Sequence, residues 1–275
     1  MMKIGFIDFY MSEYHSNNYP AWIREASEKL GIECEVAYAW AEQDVSPRDN
    51  MTTDEWCEKY GVQRCNSIKE VCELSDFVFI LAPADPDKHL PYAKEAFKYC
   101  KRLYIDKTFA PNPTEAEEIF ALAKEYGVEF FSTSALRYAT ELDEYKGVKT
   151  LTTTGNGNKL DVYIIHQVEM IVKLLGTGAK SVSCHMDGET HVFDISYDDD
   201  RHAVMNFHAK LGHSVESDGR KTAITSPFFK ALVVDVLRFA NGGEKSFCSC
   251  QTMEAIKLMT AALAASQNLE TEISV

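Results

Sequence analysis

The sequence predicts an α/β fold in which a doubly wound parallel sheet is followed by a smaller α+β domain with a mostly antiparallel sheet. From Lys3 to about Arg137, short apolar runs alternate with amphipathic segments that open on helix-capping residues, the pattern of a parallel sheet flanked by helices. Beyond Arg137 consecutive segments alternate apolar and polar residues with a period of two, the signature of half-buried strands. The chain has 275 residues, 45% hydrophobic and 25% charged, enough for two domains. The expected division is 1–137 and 138–275.

The strands expected in the first domain are KIGFIDF, ECEVAYAW, DFVFILAP, RLYIDKTF and VEFFSTSA. Pro20 reads as the first helical residue before AWIREASEKL, which Gly31 closes. Thr52 with Glu55, Ser67 with Glu70, and Thr114 with Glu117 have capping-box spacing, and Gly61 and Gly127 mark helix ends. In the second domain VKTLTTT is a strand, and LDVYIIHQVEMIVKLLG is a helix ending at Gly176. KSVSCHM, ETHVFDISY, HAVMNFHAK and KTAITS follow as strands, the first two joined by Asp187-Gly188, a type I′ turn dipeptide. Helices PFFKALVVDVLRFA and MEAIKLMTAALAAS and the short strand TEISV close the chain.

A formal net charge of -14 excludes a nucleic-acid partner, because phosphate contacts need a basic face. No apolar run approaches the roughly 20 residues of a membrane span. MMKIGFIDFY lacks the basic start of a signal peptide, so a cytoplasmic location and a small-molecule partner are expected. The eight cysteines include one close pair, Cys248-Ser-Cys250, but no CxxC or zinc-knuckle spacing, so reduced thiols and no metal are expected.

The informative stretch is Ser75–Arg137, SDFVFILAPADPDKHLPYAKEAFKYCKRLYIDKTFAPNPTEAEEIFALAKEYGVEFFSTSALR. It resembles the glucose-fructose oxidoreductase/inositol dehydrogenase (Gfo/Idh/MocA) family. That family has a Thr-Pro-like turn after a strand, a His opening the next helix, and Glu-Lys-Pro ending the following strand. Ala82-Pro83, His89 and Asp106-Lys107-Thr108 occupy those places here. His166 in HQVEMIVKLLG resembles the His of the family's His-x-x-Asp helix, and the closing helix and strand are similar too. The resemblance implies a Rossmann-like first domain, NAD or NADP as cofactor, hydride transfer on a sugar or polyol, and a homo-oligomer formed through the second-domain sheet. It implies catalytic roles for Lys107 and His166, and places Asp8, Tyr10, Pro83, His89 and Lys107 at the cofactor crevice. A lysine stabilises a developing alkoxide and an imidazole carries its proton. Arg137, at the end of the first domain, is a candidate for a ligand anion or a carboxylate.

The family's Gly-x-Gly-x-x-Gly turn falls here on Asp8, Tyr10 and Glu13. The glycines serve a tight turn, close approach to pyrophosphate and close helix packing. Two carboxylates beside a diphosphate repel it by on the order of 1 kcal/mol per charge pair even in water. Tyr10, Glu13, Tyr14, His15, Asn17 and Asn18 read instead as a loop for a polar, ring-bearing ligand, with Tyr14, His15, Asn17 and Asn18 as substrate contacts; the alternative is a surface loop preceding the first helix. Four residues before His166, where the family has Asp, stands Val162, and Asp161 lies about 100° away around a regular helix. His185, His191, His202, His208 and His213 read as sheet-face residues, and Asp198 to Asp200 as a turn. The leading reading is an NAD(P)-dependent oxidoreductase acting on a sugar or polyol. The alternative is a cofactor-free ligand-binding or regulatory protein, or a non-redox enzyme, on the same fold.

Overall fold

A computed structural model describes residues 1–275. They form two compact units, one made of Met1–Thr133 with Leu232–Ser246, the other of Ser134–Ala231 with Phe247–Val275. The break in sequence thus comes at Thr133/Ser134, and Leu232–Ser246, expected in the second domain, packs with the first.

In the first unit the elements run β1 (Met2–Asp8), α1 (Tyr14–Leu30), β2 (Cys34–Ala41), α2 (Thr53–Tyr60), β3 (Gln63–Arg64), α3 (Ile68–Leu74), β4 (Phe77–Ile80), α4 (His89–Ala96), β5 (Arg102–Ile105), α5 (Pro113–Tyr126) and β6 (Glu129–Phe131). The strands are all parallel in the order β3-β2-β1-β4-β5-β6, with the reversal of direction beside β1. Ligands of such sheets lie at the carboxyl ends of the strands flanking that reversal. FVFI of β4 is buried on both faces, as a central parallel strand requires. Phe6, Phe79 and Tyr104 pack ring to ring across β1, β4 and β5, with centroids 5.6 and 5.4 Å apart. Gly5 lets α3 approach β1, since a Cβ there would stand 2.4 Å from Ser75 Oγ and from Val71 Cγ1.

Two helix starts differ from the sequence expectation. The first helix opens at Tyr14, not Pro20, because Glu13 caps it and Ser16 completes the capping box. Pro20 then lies inside the helix. Tyr14 to Asn18 are therefore helical and form no ligand loop. Helix α5 starts at Pro113 under an Asn112 cap, with Thr114 inside it, so the proline takes the first-turn position where its missing N–H costs nothing. The Thr52–Glu55 box and the Ser67 cap are present, and Gly31, Gly61 and Gly127 end their helices in the left-handed conformation.

The second unit contains β7 (Thr150–Gly155), α6 (Leu160–Tyr163), α7 (Ile165–Leu175), β8 (Ala179–Asp187), β9 (Thr190–Tyr197), β10 (His202–Phe207), β11 (Ser214–Ser217) and β12 (Arg220–Ala223). Helix α8 (Phe228–Ala240) follows, its residues from Leu232 onward belonging to the first unit, then α9 (Ser249–Gln267) and β13 (Ile273–Ser274). The sheet order is β12-β11-β7-β10-β9-β8-β13, antiparallel except where β7 meets β10. The expected single helix after Asn158 is interrupted at Ile164. The β8–β9 loop is Gly188-Glu189, since Asp187 still pairs with Thr190. Only Gly188 has a positive φ there, the type II′ pattern and not type I′. Cys248 and Cys250, expected as free thiols, are joined in a disulfide at the start of α9, while the other six cysteines are free.

Arg102 secures the late segment of the first unit. Its Nη1 donates to the carbonyls of Phe239 (2.6 Å) and Gly243 (3.1 Å), its guanidinium lies 4.3 Å from the Phe239 ring centroid, and its Nε donates to Glu129 at 2.8 Å. The Phe239 ring in turn meets Phe77 and Phe131 edge-on. Arg102→Ala is expected to cost about 1.5–3 kcal/mol, the range for hydrogen bonds to a charged donor, read as a lowered thermal midpoint. An unchanged midpoint would show that the aromatic contacts hold the segment alone.

Candidate functional site

Each unit presents a polar constellation. In the first unit it lies at the carboxyl ends of β1, β4 and β5. Asp8 ends β1 and is buried, its Oδ1 accepting from the backbone N–H groups of Phe9 (2.7 Å) and Ala82 (3.0 Å). Ala82 sits at the end of β4 with φ +56°, a strained value for a residue with a side chain, and leads into Pro83. Burial, reinforced by the charge of Glu13, raises the Asp8 carboxyl pKa well above its usual range.

Glu13 is also buried, and one of its carboxylate oxygens accepts the Ser16 N–H at the start of α1. The segment between them is pinned: Ser12 Oγ donates to Asp49 at 2.6 Å, and Ser46 Oγ donates to the Ser12 carbonyl at 2.7 Å. Asp106, after β5, is paired with His15 and accepts from the Lys107 N–H (2.8 Å) and Tyr104 hydroxyl (3.2 Å). Burial alone would raise the Asp106 pKa, but the His15 charge and hydrogen bond hold it low. Lys107 Nζ donates to the Pro83 carbonyl at 2.7 Å. Burial pulls the Lys107 pKa down, against the attraction of Asp106 and Glu13.

The remaining residues singled out on sequence have structural partners. His89 is fully buried between the Leu81 and Phe109 carbonyls, and burial lowers its pKa. It ties the chain after β4 to the chain after β5 instead of facing a crevice. Asn17 accepts from Trp56 Nε1 at 2.9 Å and from the Tyr60 hydroxyl, and Asn18 caps the Tyr14 carbonyl from an exposed position. Tyr14 is exposed and Tyr10 half-buried. Glu42, the first residue after β2, stands where dinucleotide-binding domains place an acid for the ribose, but it holds Lys88 Nζ (2.7 Å) and the Tyr92 hydroxyl (2.8 Å).

These residues do not fit a dinucleotide diphosphate at the first turn. The helix N-terminus that would receive phosphate is capped by a carboxylate of the chain, and a second buried carboxylate stands at the end of β1.

In the second unit His166 and Glu169 lie one turn apart on α7. A 2.6 Å hydrogen bond links Ser134 Oγ to His166 Nδ1, and the Ser134 N–H donates to Glu169 Oε1 at 3.3 Å. Glu169 Oε2 forms a 2.8 Å buried ion pair with Arg137 Nη1, and Arg137 stacks 4.0 Å from the Phe247 ring centroid. Lys173 Nζ donates to the Arg137 carbonyl. Arg137 is thus matched to a carboxylate of its own chain. The imidazole is held through Nδ1 and is partly exposed. Asp161 is exposed on α6. His202 pairs with Asp194 (2.8 Å) and His208 with Glu189 (3.3 Å) on the sheet, and no group of three metal-ligating side chains converges anywhere. Ser134 and Glu169 were not singled out from sequence; the His-x-x-Glu spacing on one helix face was the available signal for Glu169.

Residues 36–134 match the model of the oxidoreductase family with an NAD-binding Rossmann fold, Gfo/Idh/MocA, in a stretch that begins after the first turn. An uncharacterized oxidoreductase of Escherichia coli K12, YhhX, is 33% identical over 63 residues, which is 23% of this chain and only 18% of that protein. The scyllo-inositol dehydrogenase of Lactobacillus casei, solved with NAD(H) and scyllo-inositol, superposes with a TM-score of 0.72 at 14% identity, covering 100% of this chain and 99% of that one. UDP-N-acetylglucosamine 3-dehydrogenase from Acidithiobacillus ferrooxidans gives 0.71 at 13% identity, covering 98% of each. At these identities the structural likeness is one of fold. No helix is long and apolar enough to cross a membrane. Over residues 36–134 the chain is similar to the Gfo/Idh/MocA oxidoreductases, and over its whole length it shares the fold of these solved dehydrogenases.

Proposed function

We propose that the protein is an oxidoreductase of the Gfo/Idh/MocA type that acts on a hydroxyl of a sugar or polyol, with His166 taking the hydroxyl proton. The observation that carries this reading is the chain of contacts from the buried Arg137–Glu169 pair through Ser134 to His166, which fixes the ring while leaving it partly exposed. Lys107 is assigned the electrostatic role, since a buried lysine with a lowered pKa stabilises a developing negative charge strongly in a medium poor in water. NAD or NADP is the hydride acceptor this reading calls for, and the solved relative from L. casei was captured with NAD(H). A homo-oligomer built on the second-unit sheet and a cytoplasmic setting belong to the same reading.

The carboxylates at the first turn favour a second reading, a cofactor-free ligand-binding protein or non-redox enzyme. Calorimetric titration with NADH and NADPH separates the two. Binding at micromolar strength, followed by hydride transfer from a sugar or polyol, supports the first; no binding at millimolar cofactor supports the second. Under the first reading His166→Ala should lower kcat by about 10²–10⁴-fold, the usual contribution of a positioned acid or base. Lys107→Ala should abolish turnover with the fold intact by circular dichroism. Turnover retained in either variant counts against the role given to that residue.

A further inference from the structure

The geometry points to a cation-binding subsite at the first turn of the Rossmann unit: Asp8 and Glu13 together receive a protonated amine of a small-molecule ligand, where this fold ordinarily receives phosphate. This goes beyond the oxidoreductase reading and stands on different residues.

Both carboxylates are buried, Asp8 1% and Glu13 3% exposed. In each, one oxygen is used by the backbone, and the other, Asp8 Oδ2 or Glu13 Oε2, is buried with no hydrogen-bond partner. Unpartnered buried acceptors on two separate side chains are costly, and a charged donor is the group that satisfies them best. Asp8 ends β1 and Glu13, five residues on, caps α1, so both carboxylates belong to the same turn.

The basic side chains of the same region are already committed. His15 is paired with Asp106, and Lys107 donates to the Pro83 carbonyl. An ammonium brings three donors and one positive charge, so it can reach two carboxylate oxygens and a third acceptor at once. A hydroxyl brings one donor and no charge. A phosphate brings only negative charge to a helix end that Glu13 has already capped. A metal ion would need a larger converging ligand set than exists here.

The test uses the full chain with ¹⁵N-labelled backbone. The amides of Phe9, Ala82 and Ser16 donate directly to the two carboxylates and so report on them. Titration with ethanolamine hydrochloride should move these three amides saturably, and ethylene glycol, the neutral counterpart, should not. Asp8→Asn and Glu13→Gln should each weaken the ethanolamine effect at least about tenfold, about 1.4 kcal/mol. Equal responses to ethanolamine and ethylene glycol, or no saturable response to ethanolamine, would overturn the proposal. Movement of the same amides by NADH, with none by ethanolamine, would also overturn it and place the dinucleotide in this turn. If ethanolamine binds here and NADH does not bind at all, the cation subsite stands while the NAD(P) reading fails.

Discussion

Arg137→Ala should destabilise the second unit by about 3–5 kcal/mol, the cost of leaving one member of a buried ion pair without its partner. Arg137 and Glu169 are 5% and 3% exposed, so neither charge can be rehydrated without moving the chain. Removing the guanidinium also removes its stacking on Phe247 and takes the charged donor away from the Glu169 carboxylate. Urea denaturation of the variant measures the loss. The double replacement Arg137→Met with Glu169→Leu should recover most of it, because an apolar pair of similar volume avoids desolvating two charges. A loss below about 1 kcal/mol in the single variant would mean that the pair is solvated and cannot hold Ser134 and His166 in place.

Asp8→Asn should act in the opposite sense. The amide keeps the Oδ1 acceptor that serves Phe9 and Ala82, and replaces the unpartnered Oδ2 with a donor near Glu13. Because the folded-state pKa of Asp8 is raised, the native state binds the proton more tightly than the unfolded chain does. Stability from this group is therefore complete below the unfolded value near 3.8 and is lost as pH rises through the higher folded value. Glu13 and Asp106 push in that direction, with burial the main cause. The variant should be more stable than the parent at pH 8 by about 1–3 kcal/mol, the cost of a buried unmet acceptor, and the difference should vanish near pH 4. Thermal midpoints across that range decide it; a pH-independent difference would show that Asp8 does not titrate in this window.

The fold was legible in the sequence because its signals are local and repeated. DFVFILAP and RLYIDKTF are buried parallel strands in any context, and Gly31, Gly61 and Gly127 end helices through their own backbone freedom. The first turn was misread because Pro20 is a stronger helix-start signal than Glu13, which acts as a cap only once its carboxylate folds back on Ser16. His89 carried a family position, but two carbonyls distant in sequence decide what its ring does. The contacts of Ser134 with His166 and Glu169 span more than thirty residues, a separation no local pattern records. The short β11 escaped notice because SVES offers too little alternation to stand apart from its flanks.

The return of Leu232–Ser246 to the first unit bears on biosynthesis. The Rossmann sheet is not a self-contained N-terminal module that can finish folding as it leaves the ribosome. Until Phe239 and Gly243 have been made, Phe77 and Phe131 lack the Phe239 ring that packs on them, and the two carbonyls that receive Arg102 do not both exist. The nascent first unit must therefore carry an uncovered aromatic patch through synthesis of most of the second, and a fragment stopped at the end of β6 would keep that patch for good.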